Sequence, residues 1–166
     1  MADGIEFDGT DDVLTTSVVS VTASDDLSLF TTFKCSDTSS FRTLLSQRGG
    51  TGTGRTWIES RSSNYATFIG GTQKNFGATT TDKVLFSLLY DDSDGTIDAF
   101  KDGTQSGVQA TSVAFEANDG QLNIGTTKSF GSPFVGTMEE IIIYDSDQTS
   151  NRPAIEANIN SHYSIF

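Results

Sequence analysis

Cysteine, histidine, tryptophan and proline are scarce in this sequence of 166 residues, which has one Cys, one His, one Trp and two Pro. With Cys35 alone, no disulfide can form within the chain, and one Cys with one His is poor material for Cys/His catalysis. No apolar run approaches the length of a membrane span. The N-terminal stretch MADGIEFDGTDD lacks the apolar segment of a secretory signal, so we expect synthesis in the cytosol and no membrane partner.

Basic residues are also few, because 10 Lys and Arg stand against 22 Asp and Glu, for a formal net charge of −12. A field of that sign repels phosphate backbones and argues against a nucleic-acid partner.

The acidity fits either simple solubility or the binding of a divalent cation by loop carboxylates. The candidate calcium ligands are Asp91, Asp92 and Asp94 in YDDSDG, with Asp8, Asp11 and Asp12 as a second group. The alternative is an Asp-rich turn that caps its own backbone, and the EF-hand spelling is absent.

Phenylalanine and glycine are plentiful, with 12 Phe and 16 Gly, and apolar residues alternate with polar ones along most of the chain. This period of two predicts roughly eleven short strands separated by turns every 8–12 residues, as in a sandwich. The segment KVLFSLLYD (Lys83–Asp91) is almost continuously apolar and predicts a central strand covered on both faces. Asp102-Gly103 predicts a tight hairpin. The polar stretch 72–82 is predicted to be a loop, and Ser112–Ala117 a short strand.

The last segment changes period and predicts the one helix of the chain. Ile155, Ile159 and Tyr163 recur every four residues and form a single apolar stripe. Thr149 or Ser150 is expected to cap the first turn, within which Pro153 is tolerated. A helix this short is marginal alone, so it must lie on a sheet.

Several segments, in order, resemble the laminin-G-like, concanavalin A-like jelly rolls. IEFDGTDDVLTT is similar to their opening motif, VLFSLLYDDSDGTIDAFKDGTQ to their central strands, and LNIG followed by FVGTMEEIIIYD to their closing strands. The family often begins the central strand with Trp, whereas this chain has Val84 and Phe86 there. The resemblance implies an all-β, two-sheet antiparallel jelly-roll sandwich with one short C-terminal helix, formed by a single domain over 1–166. The segment IIIYDSDQTSNRPAIEANIN is also similar to jelly-roll domains of bacteriophage and microbial surface proteins.

The candidate glycan-binding residues are Trp57, Tyr65, Arg55 and Asn64, which flank the turn ESRSSN. An exposed aromatic ring beside amide and guanidinium donors is the usual arrangement for holding a sugar. The alternative is that Trp57 belongs to the core. Strict alternation places Trp57 and Glu59 on one face, which favours partial exposure of Trp57.

The sequence favours a protein that is not an enzyme. The paired-carboxylate spelling Glu-x-Asp-x-x-Glu of glycosidases on this fold is absent, and His162 is expected at the surface. The main hypothesis is a virion structural or attachment protein, of the capsid-decoration or fibre-head type, that contacts other virion proteins or copies of itself. The alternative is a carbohydrate-binding module of a microbial surface protein, located outside the cell and bound to cell-surface glycans. A hydrolase is the least favoured of the three.

Overall fold

The computed structural model describes residues 4–18, 26–48, 55–69, 72–107, 120–127 and 131–166. Within these ranges, two antiparallel six-stranded sheets and one C-terminal helix form a jelly-roll sandwich, which confirms the predicted fold class. The first sheet has the strand order β1-β12-β3-β8-β9-β10 and the second the order β2-β11-β4-β5-β6-β7. The bounds are β1 Ile5–Asp8, β2 Leu14–Val18, β3 Leu27–Cys35, β4 Phe41–Arg48, β5 Arg55–Arg61, β6 Asn64–Ile69, β7 Thr72–Ala78, β8 Lys83–Asp91, β9 Thr96–Lys101, β10 Thr104–Gln105, β11 Gln121–Ile124, β12 Val135–Tyr144 and α1 Arg152–Tyr163.

Strand β8 is buried on both faces, as its continuous apolar sequence predicts, because all residues from Val84 to Tyr90 are buried. Val84, Phe86 and Leu88 belong to the cluster of side chains between the two sheets. Leu85 and Leu89 belong to a second cluster on the other side of the first sheet. The alternate side chains of one strand therefore fill two separate apolar layers.

Helix α1 supplies the second of these layers. Ile155, Ile159 and Tyr163 pack against the outer cluster of the first sheet, which confirms the predicted stripe. The helix also buries Glu156, which accepts a hydrogen bond from Ser87 Oγ (2.8 Å) and pairs with Arg152. A buried carboxylate needs such partners, because an unpaired charge away from water is costly.

The start of α1 differs from the predicted one. Asn151, and not Thr149 or Ser150, occupies the N-cap position, and it makes no side-chain capping hydrogen bond. Thr149 instead uses its backbone N–H to donate to the Asp147 carboxylate (2.8 Å). Pro153 lies in the first turn. Backbone N–H groups there have no acceptor within the helix, so a residue without an N–H costs no helical hydrogen bond.

The hairpin at Asp102-Gly103 forms as predicted. Both residues adopt positive φ angles, 52° and 75°, which is the conformation of the tight turn that matches strand twist. The Asp102 carboxylate also accepts a hydrogen bond from the backbone N–H of Leu85 (3.0 Å). This turn therefore joins β9 to β10 and is tied to β8.

The polar stretch 72–82 was predicted to be a loop, and that prediction is wrong for its first half. Residues Thr72–Ala78 form β7, which pairs with β6 at the edge of the second sheet. Phe76 is the large apolar residue that β7 buries. With so few apolar residues, the strand shows too little alternation of apolar and polar residues to be recognised in the sequence. The predicted strand Ser112–Ala117 lies outside the described residues, and no helix within them is long and apolar enough to cross a membrane.

Replacement of Ile159 by alanine tests the contact between α1 and the first sheet. Ile159 is 3% exposed, and truncation of such a side chain costs about 2–4 kcal/mol of unfolding free energy. We expect this loss in urea unfolding with an unchanged m-value, and less than about 0.5 kcal/mol for the exposed control Asn158→Ala. A loss in Ile159→Ala as small as that of the control would mean that the helix does not stabilise the sheet.

Candidate functional site

Two of the four predicted glycan-binding residues lie in the core. Trp57 is 1% exposed and Tyr65 is fully buried, so neither ring can stack on a sugar, and the prediction of partial exposure for Trp57 is wrong. Tyr65 packs edge-on to Phe33 of the first sheet, with ring centroids 5.7 Å apart. Its hydroxyl accepts a hydrogen bond from the backbone N–H of Thr80 (3.3 Å).

The burial of Trp57 has its cause in two irregularities of the pairing between β4 and β5. The register shifts between Thr43 and Leu45, and again between Leu45 and Ser46. Each bulge places two consecutive residues opposite one partner, which interrupts the alternation of faces. Leu44 with Leu45, and Trp57 with Ile58, consequently all belong to the cluster between the sheets.

The alkaline titration of Tyr65 tests this correction. Burial raises the pKa of Tyr65 to about 12, whereas an exposed tyrosine titrates at about 10. Because the folded-state pKa lies above the unfolded one, the stabilisation is complete below pH about 10 and is lost as the pH rises to about 12.

We therefore expect the unfolding free energy to fall more steeply over this window in the wild type than in Tyr65→Phe. The difference in phenolate absorbance between the two proteins isolates this residue from the other tyrosines. A difference titration centred near pH 10 in the folded protein would show that Tyr65 is exposed.

The other two predicted residues flank the β5–β6 hairpin. Arg55 begins β5 opposite Gln47, and the structure describes its backbone only. Asn64 begins β6, is half-buried, and donates a hydrogen bond from Nδ2 to Ser63 Oγ (3.2 Å). The four predicted residues therefore do not form one surface site.

A different group of side chains lies on the face of the second sheet that is turned away from the core. The register shows this face, because Tyr65 pairs with the core residue Phe76 and the intervening pair Ala66 and Asn75 points the opposite way. Glu59 lies opposite Ala66 and therefore shares the outer face. We define the polar face as five of the residues that β4, β5 and β7 carry on this side: Phe41, Glu59, Arg61, Gln73 and Asn75.

A chain of polar contacts runs across the polar face. Arg61 Nη1 donates to Gln73 Oε1 (2.5 Å), and Gln73 Nε2 donates to Asn75 Oδ1 (2.5 Å). The same Arg61 nitrogen lies 3.2 Å from Glu59 Oε1. These contacts link side chains of β5 and β7 across β6.

Phe41 gives the polar face an aromatic ring. The Arg61 guanidinium lies over one face of this ring, with its carbon 4.1 Å from the ring centroid, a favourable cation–π distance. Phe41 is nevertheless 47% exposed. A sheet surface that combines an open aromatic ring with fixed amide and guanidinium groups can take a flat, polar ligand.

The electrostatics of this face depend on Glu59. Burial raises the pKa of the Glu59 carboxyl above its ordinary value, and the positive charge of Arg61 opposes that rise. Glu59 and Arg61 therefore form a partly desolvated ion pair in which the opposite charges offset each other.

The carboxylates of Asp91, Asp92 and Asp94 do not form a common ligand set in the structure. Asp91 Oδ1 accepts from Ser93 Oγ (2.7 Å) and from the backbone N–H of Asp94 (3.3 Å), while Asp92 Oδ1 accepts from the Tyr90 hydroxyl (3.2 Å). The bonds from Ser93 and Asp94 lower the pKa of Asp91, and they correspond to the self-capped turn. Among the described residues, three carboxylates do converge. They belong to Asp8, Asp11 and Asp12, and their ligand atoms lie within 4.8 Å of one another.

Calcium binding stays a prediction, and melting temperature tests it. A ligand that binds only the native state must raise the melting temperature. If the predicted site exists at the converging group, calcium raises the melting temperature of the wild type and of Asp94→Asn but not of Asp11→Asn. An unchanged melting temperature for the wild type at millimolar calcium would contradict the prediction.

The comparisons with known proteins concern the fold alone. No protein-family profile and no curated protein sequence matches this chain. Among solved structures, the native heptameric pentraxin of Limulus polyphemus aligns with a TM-score of 0.71 and 13% identity over 91% of this chain and 80% of its own. The CBM40 module of the Ruminococcus gnavus sialidase aligns at 0.63 and 12% identity, over 84% of this chain and 95% of the module.

Domains LG4-5 of the mouse laminin α1 chain align at 0.65 and 12% identity, over 85% of this chain and 40% of that one. All three neighbours have concanavalin A-like jelly-roll folds, and this chain has the same fold, as the resemblance in its sequence indicated.

Proposed function

We propose that this chain is a carbohydrate-binding module, and that the polar face is its binding surface. The observation that carries the proposal is the exposed ring of Phe41 beside the bonded row of Arg61, Gln73 and Asn75. This proposal keeps the glycan-binding hypothesis drawn from the sequence. It places the binding site on the outer side of the second sheet, opposite the side that carries Trp57 and Tyr65.

The chemistry of this surface matches what a sugar presents. One side of a pyranose ring carries apolar C–H groups that pack on an aromatic ring, and its hydroxyls accept and donate hydrogen bonds. Gln73 and Asn75 supply both donors and acceptors, and Arg61 supplies donors. Because these side chains already contact one another, little side-chain entropy is lost when a ligand binds them.

The structural neighbours add support of a general kind. The Ruminococcus gnavus module has been solved bound to α2,3-sialyllactose and to α2,6-sialyllactose. A putative carbohydrate-binding protein from Bacteroides ovatus aligns with a TM-score of 0.63 over 90% of this chain. The Ruminococcus gnavus complexes support the proposal because the same fold binds a sugar in that module, and the polar face supplies this chain's own reason for it.

A glycan array followed by calorimetry tests the proposal. We expect the wild type to bind at least one saccharide, and Phe41→Ala to weaken that binding about tenfold, or about 1.4 kcal/mol, through loss of the stacked ring. Phe166→Ala is the matched control, because Phe166 is 56% exposed but follows α1 at the end of the chain. Failure of the wild type to bind any glycan would refute the proposal, and equal losses in both variants would refute the location.

The virion role predicted from the sequence stays a separate proposal. A capsid-decoration or fibre-head protein can use the same fold and can also bind glycans, but none of the structural neighbours reported above is a virion protein. Its support is the resemblance of the C-terminal segment, together with the single Cys and the acidic, Ser/Thr-rich composition of the sequence. Native mass measurement and co-purification with a particle test it, and a monomer without affinity for any particle would contradict it.

A further inference from the structure

Two buried oxygens on the outer face of the second sheet lack hydrogen-bond partners among the described residues. They are Thr43 Oγ1 and Glu59 Oε1. The two residues are directly opposite each other on β4 and β5, and they are 0% and 8% exposed. Buried polar atoms are nearly always hydrogen-bonded, so two unsatisfied ones on facing residues need an explanation.

The nearest cation does not satisfy Glu59 Oε1. Arg61 Nη1 lies at an ion-pair distance of 3.2 Å, but Oε1 has no hydrogen bond of acceptable geometry. The Arg61 nitrogen is directed instead to Gln73 Oε1 (2.5 Å). A hydroxyl group brought by a ligand can supply the missing donor when the Arg61 side chain, which is 24% exposed, moves outward from the sheet.

The charge of this face determines which sugars fit. The positive charge of Arg61 is offset by Glu59, and Lys74, between Gln73 and Asn75, belongs by alternation to the other side of β7. Arg42, beside Phe41, donates to the Pro133 carbonyl oxygen (3.1 Å) and pairs with Asp37. An anionic ligand would therefore meet the Glu59 carboxylate without an unengaged cation on the described part of this face, in a chain whose net charge is −12.

We propose that the polar face binds an uncharged saccharide, one hydroxyl of which donates to Glu59 Oε1 while the sugar ring packs on Phe41. The hydroxyl oxygen can in turn accept from the Thr43 hydroxyl, so that both orphan oxygens gain a partner. Gln73 and Asn75 hold further hydroxyls at the edge of the sheet. This inference rests on the proposed function and adds the ligand class and the role of Glu59 as an acceptor that selects against acidic glycans.

The experiment uses a panel of uncharged oligosaccharides, each paired with a counterpart that carries a carboxylate, such as lactose with α2,3-sialyllactose. Affinities are measured by calorimetry for the full chain, in the presence and absence of a metal chelator. We expect at least one uncharged saccharide to bind ten times more tightly than its acidic counterpart, with no effect of the chelator.

Glu59→Gln separates a selective role of this residue from a merely structural one. The variant keeps the size of the side chain and removes its charge, so we expect weaker binding of the uncharged sugar and a fall of at least threefold in the preference over its acidic counterpart. Glu139→Gln is the matched control, because Glu139 is a largely buried carboxylate paired with Lys83 (2.7 Å) in the first sheet. That control should leave the preference unchanged.

Each outcome decides a different question. Equal or tighter binding of the acidic sugars by the wild type overturns this inference and leaves the proposed function standing. A preference that is unchanged in a folded Glu59→Gln overturns the role of Glu59. Absence of binding to every saccharide overturns the proposed function itself, and this inference with it.

Discussion

Aromatic rings that pack between the two sheets determine how the strands of both sheets are oriented. Tyr65 of the second sheet contacts Phe33 and Phe86 of the first, at centroid distances of 5.7 Å and 5.1 Å. Phe134 and Phe7 extend the contact towards β1. Because rings of this size dominate the apolar area that a domain buries, they fix which face of each strand points inward. The polar face exists because Tyr65 and Phe76 face the core and their neighbours Ala66 and Asn75 face away.

The outer sides of the two sheets differ in polarity and in what covers them. The outer side of the first sheet is apolar and is covered by α1, so β8 is buried throughout and Glu156 needs internal partners. The outer side of the second sheet is polar, and its Arg61 contacts both Glu59 and Gln73. A helix that covers one side leaves the other as the surface on which a ligand can lie, and the proposed glycan site is on that side.

Much of the fold was predictable because it follows from short-range patterns. Alternation predicted a series of short strands, and the almost continuous apolar sequence of β8 predicted a central one. Asp102-Gly103 predicted a hairpin, and the four-residue spacing of Ile155, Ile159 and Tyr163 predicted the helix and its buried side. The edge strand β7 was missed because a strand exposed on one face and at one edge needs few apolar residues. The signal that could have revealed its role is the pair Gln73 and Asn75, two polar residues spaced to share one face.

The period with which apolar residues recur is enough to predict the sandwich and the covering helix, and the continuous apolar sequence of β8 is enough to predict its burial. The position of Trp57 and the composition of the polar face depend instead on how neighbouring strands pair. The bulges between β4 and β5 are shifts in the register with which the two strands pair. The sequence of one strand alone therefore does not show that Trp57 and Ile58 are both buried. The polar face likewise brings together Phe41, Arg61 and Gln73 from three strands, and proximity across strands is a property of the pairing register.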